Sequence, residues 1–253
     1  MSLGRLGLVQ AGSPDKQCPT LAELTADATA TASQIAEGAT AYVQGEKITG
    51  TMPTTIDVAA AGIKFAYSTF ETVPSYYDFS SVADGSYMFF GCSSVTSFNG
   101  AAFPSVTNGF GMFAQCINLE SIYFQGTQTF SSTRSMFVND PNLKYISFID
   151  FSSVTEAIYM FKGCKNLITI GNIIFLKTSL SLADSPNLDK DTLILFGTIA
   201  TGPGQTGVAD LKALGLPSET ITFNTASQEF LESEGIIPKL TDSNWVVNFS
   251  DSM

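Results

Sequence analysis

The residue types in this chain best suited to chemistry are its cysteines and carboxylates, because histidine does not occur at all. Without imidazole, Ser-His-Asp and Cys-His catalysis, His-ligated metals and proton transfer near neutral pH by a histidine are all removed. Four cysteines remain, Cys18, Cys92, Cys116 and Cys164. No pair has the Cys-x-x-Cys spacing of a zinc or redox site, and four in 253 residues do not form a dense disulfide framework. Free thiols are expected, with Cys92, Cys116 and Cys164 acting as small buried apolar groups. Asp140, Asp150, Asp184, Asp189 and Asp191 carry oxygens of the calcium-binding type, but no D-x-D-x-D-G loop organises them. Gly202-Pro-Gly-Gln-Thr-Gly207 is glycine-rich yet lacks the lysine of a phosphate-binding loop, and it is expected to be a flexible loop. Spacing does not exclude a pair of carboxylates suited to glycoside hydrolysis, since distant segments can face each other, but nothing positive supports one. No catalytic residue, metal site or cofactor is expected, and the chain reads as a non-enzyme.

The charge balance narrows the partners. Twelve Lys+Arg against 23 Asp+Glu give a formal net charge of −11, which leaves no basic surface to neutralise phosphates. Nucleic acid and anionic membranes are poor partners. Apolar residues make up 44% and charged residues 14%, enough to bury a core. The longest late apolar stretch, Leu167 to Leu176, is interrupted by Gly171 and Asn172 and is far short of the ~20 residues that span a bilayer. Membrane insertion is not expected. The opening residues, Met1 to Gly12, are broken by glycines and Arg5 and lack a small-x-small cleavage site, so export through a signal peptide is not expected either. The 28 Ser and 27 Thr beside 20 Phe and 8 Tyr suit strands and turns.

The elements that would position any site are set by a repeat. Met88-Phe89, Met112-Phe113, Met136-Phe137 and Met160-Phe161 recur every 24 residues. Cys92, Cys116, Asp140 and Cys164 form a second column, Val95, Leu119, Leu143 and Leu167 a third, and Phe98, Ile122, Ile146 and Ile170 a fourth. Upstream, Phe79, Phe103 and Phe151 hold a column that Thr127 breaks, beside Val82, Val106, Phe130 and Val154. The unit reads F-x-x-V-x5-M-F-x-x-C-x-x-L-x-x-I-x-F without insertions from Phe79 to Phe175. One such turn has a single apolar face and must bury it against its neighbours. The alternation in Leu119-Glu-Ser-Ile122-Tyr-Phe124 predicts a short strand in each unit. Stacked strands would then form a parallel sheet.

These columns, with Phe151-Ser-Ser-Val-Thr155 and Phe79-Ser-Ser-Val82 between them, resemble the BspA-type leucine-rich repeats of bacterial surface proteins over about 100 residues. The resemblance implies a leucine-rich-repeat-like solenoid used for adhesion or recognition, with no catalytic residues to carry over. Asp140 in the cysteine column argues against a functional cysteine row. On the predicted strands, Ser97, Ser121, Tyr145 and Thr169 form one outward column and Asn99, Tyr123, Ser147 and Gly171 another. A small, polar face with two tyrosines can stack on sugars or pack on protein. Ser97, Asn99, Ser121, Tyr123, Tyr145, Ser147 and Thr169 are the candidate binding face, and a merely solvated strand face is the other reading of each.

After Phe175 the register slips: Asp184-Ser-Pro-Asn-Leu188 echoes Asn139-Asp-Pro-Asn-Leu143, but Pro186 lies 45 residues beyond Pro141, three short of two periods. That shift predicts the end of the regular units. Asp189 to Phe196 reads as a capped helix, Thr225-Ala-Ser-Gln228 as a capping box, and Leu180-Ser-Leu182, Ile221-Thr-Phe223 and Trp245 to Phe249 as strands. Ten acidic residues against four Lys lie from position 177 onward. At the other end, Thr31-Ala-Ser33-Gln-Ile-Ala-Glu-Gly38 predicts a short helix, and Thr40 to Thr51 a hairpin turning at Gly45. Residues 30–53, ATASQIAEGATAYVQGEKITGTMP, resemble a segment of bacteriophage and prophage tail proteins that precedes a variable distal domain. This implies a virion structural protein that docks on the particle through its N-terminal part.

The expected fold is a β-rich α/β solenoid with stacked 24-residue coils, divided into an N-terminal helix–hairpin docking module (1–57), a leucine-rich-repeat-like solenoid (58–176) and an α/β C-terminal cap (177–253). The expected role is a non-enzymatic bacteriophage virion protein, a tail- or fibre-associated adhesin assembled in the host cytoplasm. Its partners would be other virion proteins and a host surface glycan or protein, with homo-oligomerisation left open. A bacterial cell-surface adhesin and, third, a glycan-active virion enzyme are the alternatives.

Overall fold

The computed structural model describes residues 40–43, 46–49, 56–57, 65–71, 77–99, 103–124, 130–147 and 149–252. The chain divides into two compact units, Met1–Thr55 and Ile56–Met253. In the first, β1 (Thr40–Val43) pairs antiparallel with β2 (Glu46–Thr49), Val43 opposite Glu46. The helix expected over 31–38, Gly45 itself, and the opening segment with Cys18 lie outside the described residues.

The second unit is made mostly of parallel strands with few helices. In chain order these are β3 (Ile56–Asp57), β4 (Tyr77–Asp78), β5 (Ser97–Asn99), β6 (Ser121–Tyr123), β7 (Tyr145–Ile146), β8 (Ile149–Asp150), β9 (Thr169–Ile170), β10 (Ile173–Ile174), β11 (Leu180–Leu182), β12 (Ile199–Ala200), β13 (Val208–Ala209), β14 (Glu219–Phe223) and β15 (Trp245–Phe249). Their main sheet runs β5-β6-β7-β9, with Ser97 opposite Ser121, Ser121 opposite Tyr145 and Tyr145 opposite Thr169. Each step is 24 residues (121 − 97, 145 − 121 and 169 − 145), the interval of the sequence repeat. A second row of parallel bridges, Asp84–Asn108–Ser132–Glu156, keeps the same interval at another corner of the chain. Among the described residues no helix is long and apolar enough to cross a membrane.

Equal spacing brings like side chains over like. Phe65, Phe89, Phe113, Phe137 and Phe161 form one column, with successive ring planes 9, 6, 13 and 11° apart and centroids separated by 5.5, 5.4, 5.8 and 5.8 Å. Those separations exceed the ~4.8 Å between adjacent strands, so the rings slide past one another into the offset stacking that their quadrupoles favour. The column starts one turn earlier than the repeat is legible in the sequence, because Lys64 stands where each later unit has methionine. Met88, Met112, Met136 and Met160 are buried beside the rings, as are Val95, Leu119, Leu143, Leu167, Phe98, Ile122, Ile146 and Ile170. Burying one such side chain contributes about 1.5–3 kcal/mol.

Polar side chains fasten one turn to the next. The thiols of Cys92, Cys116 and Cys164 donate at 3.1 Å to the carbonyls of Phe65, Phe89 and Phe137, so they are hydrogen-bond donors as well as small core groups. The amides of Asn118, Asn142, Asn166 and Asn187 donate to the carbonyls of Ser93, Ile117, Pro141 and Lys165. Hydroxyls of Thr107, Ser131 and Thr155 donate to Ala83, Thr107 and Ser131 in the same manner. Asn187 belongs to the displaced segment after Phe175. There Ser185 also bonds the Cys164 carbonyl, and Asp184 accepts the Gly163 N–H. The sequence shift therefore does not end the cross-turn bonding; the same corner recurs once more with three residues fewer between.

Beyond that corner, α1 (Lys190–Phe196) is capped by Asp189, which accepts from Thr192 N–H, and β11-β14-β15 form a parallel three-stranded sheet. The capping box expected at Thr225 is not formed. Asn224, one residue earlier, accepts from Ala226 N–H and opens a short 3-10 turn over Thr225–Ser227, while the Thr225 hydroxyl is taken up by Asp251. Then follow α2 (Gln228–Ser233) and α3 (Ile236–Asp242).

One member of the cysteine column differs in kind. Asp140 is wholly buried between the turns that carry Cys116 and Cys164; its Oδ1 accepts the Cys116 N–H at 2.8 Å, and its Oδ2 has no hydrogen-bond partner. Burial pushes its carboxyl well above the usual carboxylate range, with the Cys116 N–H opposing only in part. Asp140 acts on both neighbouring thiols, and burial pushes that of Cys164 up as well, with Asp140 and then Asp184 adding to it. Because the folded value of Asp140 lies above the unfolded one of about 4, its stabilising contribution is complete below that pH and is lost as pH rises through the folded value. Asp140→Cys restores the column and should raise stability at pH 8 by about 1–3 kcal/mol while flattening its pH dependence. Urea unfolding across a pH series measures this, and a variant less stable than wild type at pH 8 would refute it.

Candidate functional site

The candidate face is built on β5, β6, β7 and β9. Alternation along each strand sends Phe98, Ile122, Ile146 and Ile170 into the core and leaves the flanking residues on the opposite side. Ser97, Ser121, Tyr145 and Thr169 are paired neighbours in one row, each half-buried, and Asn99 pairs with Tyr123 in the next. Tyr123 is exposed. Its ring lies 4.9 Å from that of Tyr145 at a tilt of 36°, so the two tyrosines form one aromatic spot. Partial burial, then the neighbouring Tyr123, push the Tyr145 hydroxyl above its ordinary value. The Tyr145 phenol is therefore a neutral donor at physiological pH.

Two of the seven residues are committed to the fold. The Ser147 hydroxyl accepts the Phe124 N–H at 3.0 Å. The Thr169 hydroxyl donates to Asp189, whose other oxygen caps α1. Partial burial raises the Asp189 carboxyl, but the bonds from Thr169 and Thr192 outweigh it and hold the group below the usual range. Ser97, Ser121, Tyr123 and Tyr145 therefore carry the accessible chemistry of this face, and of the side chain of Asn99 nothing is described. Glu120 and Lys144 form an exposed cross-turn ion pair at 3.0 Å just before the strands, of the kind that contributes about 0–1 kcal/mol. Gly171 closes the second row. A Cβ there would meet the Ser147 carbonyl oxygen at 2.3 Å and the Tyr145 hydroxyl at 3.3 Å, so its lack of a side chain is what lets the last strand approach.

The carboxylates weighed for calcium are dispersed into separate structural duties. Asp140 bonds Cys116, Asp150 accepts the Ser152 N–H, Asp184 the Gly163 N–H, Asp189 caps α1, and Asp191 lies in the first turn of that helix. Among the described residues no group of three or more Cys, Asp or Glu is placed to hold a metal ion.

The face can offer hydroxyl donors and acceptors around a pair of rings. Tyr123→Ala should change the unfolding free energy by less than about 1 kcal/mol, as a surface change does. Gly171→Ala should destabilise by about 2 kcal/mol or more through the backbone clash. Thermal unfolding of the two variants side by side tests this assignment of inside and outside; the reverse order would overturn it.

Comparison of the chain with protein-family models, curated proteins and solved structures finds no match.

Proposed function

We propose that this protein is a non-enzymatic structural component of a bacteriophage virion, a tail- or fibre-associated attachment protein whose body is a leucine-rich-repeat-like solenoid. The observation that carries the reading is the 24-residue parallel register of β5, β6, β7 and β9, which multiplies one small surface along an axis. Surfaces of this kind recognise extended partners. The face with Tyr123 and Tyr145 offers rings and hydroxyls, the chemistry by which a host glycan or a surface protein is held. The net charge of −11 directs the choice away from nucleic acid and anionic lipid.

Attachment to the particle is assigned to the N-terminal unit. It carries the residues that resemble phage tail proteins, and its strands β1 and β2 pair antiparallel, a motif to whose edge another chain can add a strand. The division after Thr55 marks where this part can be removed without touching the β3–β4 pair. Deleting residues 1–55 should leave a chain with the circular dichroism of the wild-type body that no longer enters particles. Mass spectrometry of purified virions assembled with either chain is the measurement. Equal incorporation of the shortened chain would sink the docking assignment, and absence of the full-length protein from virions would sink the virion reading itself.

A further inference from the structure

The corners of this chain require a left-handed backbone at a fixed place in every turn. One such row runs through Tyr87, Gly111, Ser135 and Tyr159, with φ of 55, 59, 52 and 57°. Glycine takes this conformation freely, whereas a bulky residue is strained in it. Tyr159 gains little burial in exchange, since 46% of it is exposed, and the Lys162 ammonium lies over its ring at 5.1 Å. Tyr87 shares this conformation and is similarly exposed, but its ring packs edge-on against Phe90 and Phe110; among the described residues Tyr159 has no aromatic neighbour of that kind, which leaves its ring available to a ligand.

That ring borders a shallow, open cleft of about 400 Å³. Ile158, Tyr159, Ser179, Ser181, Thr220 and Thr222 are among the residues that line it. The floor follows from strand alternation: Leu180, Leu182, Ile221 and Phe223 are buried, so Ser181 and Thr222 lie on the opposite side. Parallel pairing sets Ser181 opposite Thr222, and Thr222 opposite Asn248 of β15. The result is a row of hydroxyl, hydroxyl and amide at strand spacing. Ser179 is already engaged with Glu219, but none of the residues lining the cleft is charged.

We propose that this cleft binds a neutral carbohydrate, with Tyr159 stacking on the apolar face of a pyranose ring and Ser181 and Thr222 exchanging hydrogen bonds with its hydroxyls. The lining side chains are uncharged and the chain carries a net −11, so a neutral sugar suits the cleft better than an acidic one, with the Lys162 ammonium held against the Tyr159 ring. The hydroxyl row matches the dense, regularly spaced hydroxyls of a glycan better than the side chains of a protein. The assignment rests on the reading of this protein as a recognition module and names its ligand class and a site apart from the β5–β9 face.

The test is calorimetric titration of the full-length protein with maltohexaose, cellohexaose and chitohexaose, with polygalacturonate as the acidic control. Wild type should bind at least one of the three neutral oligosaccharides and not the polyanion. Tyr159→Asn and Thr222→Val should each weaken that binding by about tenfold or more, and Tyr123→Ala should leave it unchanged. Because asparagine is at ease in the left-handed region, Tyr159→Asn should melt no lower than wild type. A lowered melting temperature would make the ring structural and overturn the proposal, as would unaltered affinity in that variant or no binding to any of the three sugars. Adsorption of wild type to host cells without oligosaccharide binding would sink the cleft while sparing the attachment reading. Oligosaccharide binding that Tyr159→Asn abolishes, by a protein absent from virions, would do the reverse.

Discussion

The body of this molecule depends on the equality of its turns. A column of phenylalanine rings from Phe65 to Phe161, with neighbouring planes within 13° of parallel, persists only if each turn returns its ring to the same place. The thiol, asparagine and hydroxyl bonds between the regular turns obey the same condition, because they join a side chain to a carbonyl 27, 25 and 24 residues earlier respectively. No single turn has a core of its own. Burial and hydrogen bonding are therefore properties of adjacent pairs of turns, which couples the stability of each to its neighbours.

This dependence explains the composition. Serine, threonine and asparagine are abundant at the corners because their short polar side chains reach backbone carbonyls of the preceding turn. Cysteine serves in the interior because a thiol is small, apolar enough to be buried, and still a weak donor. Asp140 shows what the position tolerates at a cost: a carboxyl meets the neighbouring N–H with one oxygen and leaves the other without a partner.

Much of this arrangement was legible in the residues. The interval of 24, the apolar columns and the strand at each isoleucine followed from periodicity alone, since the side that is buried must recur with the turn. The first turn was hidden because Lys64 breaks the methionine column although Phe65 keeps the ring column. The regular register does end after Phe175, as the shift in spacing predicts; what the pattern did not show is that a turn three residues shorter still aligns Asn187 with the Lys165 carbonyl. On the candidate face, the outward rows were plain from alternation, but the commitment of Thr169 to Asp189 was not, since it pairs residues 20 apart on different elements. The cleft beside Tyr159 was invisible for a related reason. It lies between a corner of the repeat and a sheet contributed by residues 179–223, and nothing in either stretch signals the other.

The register rule also has a genetic consequence. Within the stretch from Phe79 to Phe175, adding or losing one complete unit of coding sequence leaves every ring, thiol and asparagine opposite an equivalent partner. An insertion of any other length breaks that equivalence in the turn that receives it. Recombination can thus lengthen or shorten the body in whole steps, carrying the outward rows with it, while the flanking parts that begin and terminate the stack stay as they are.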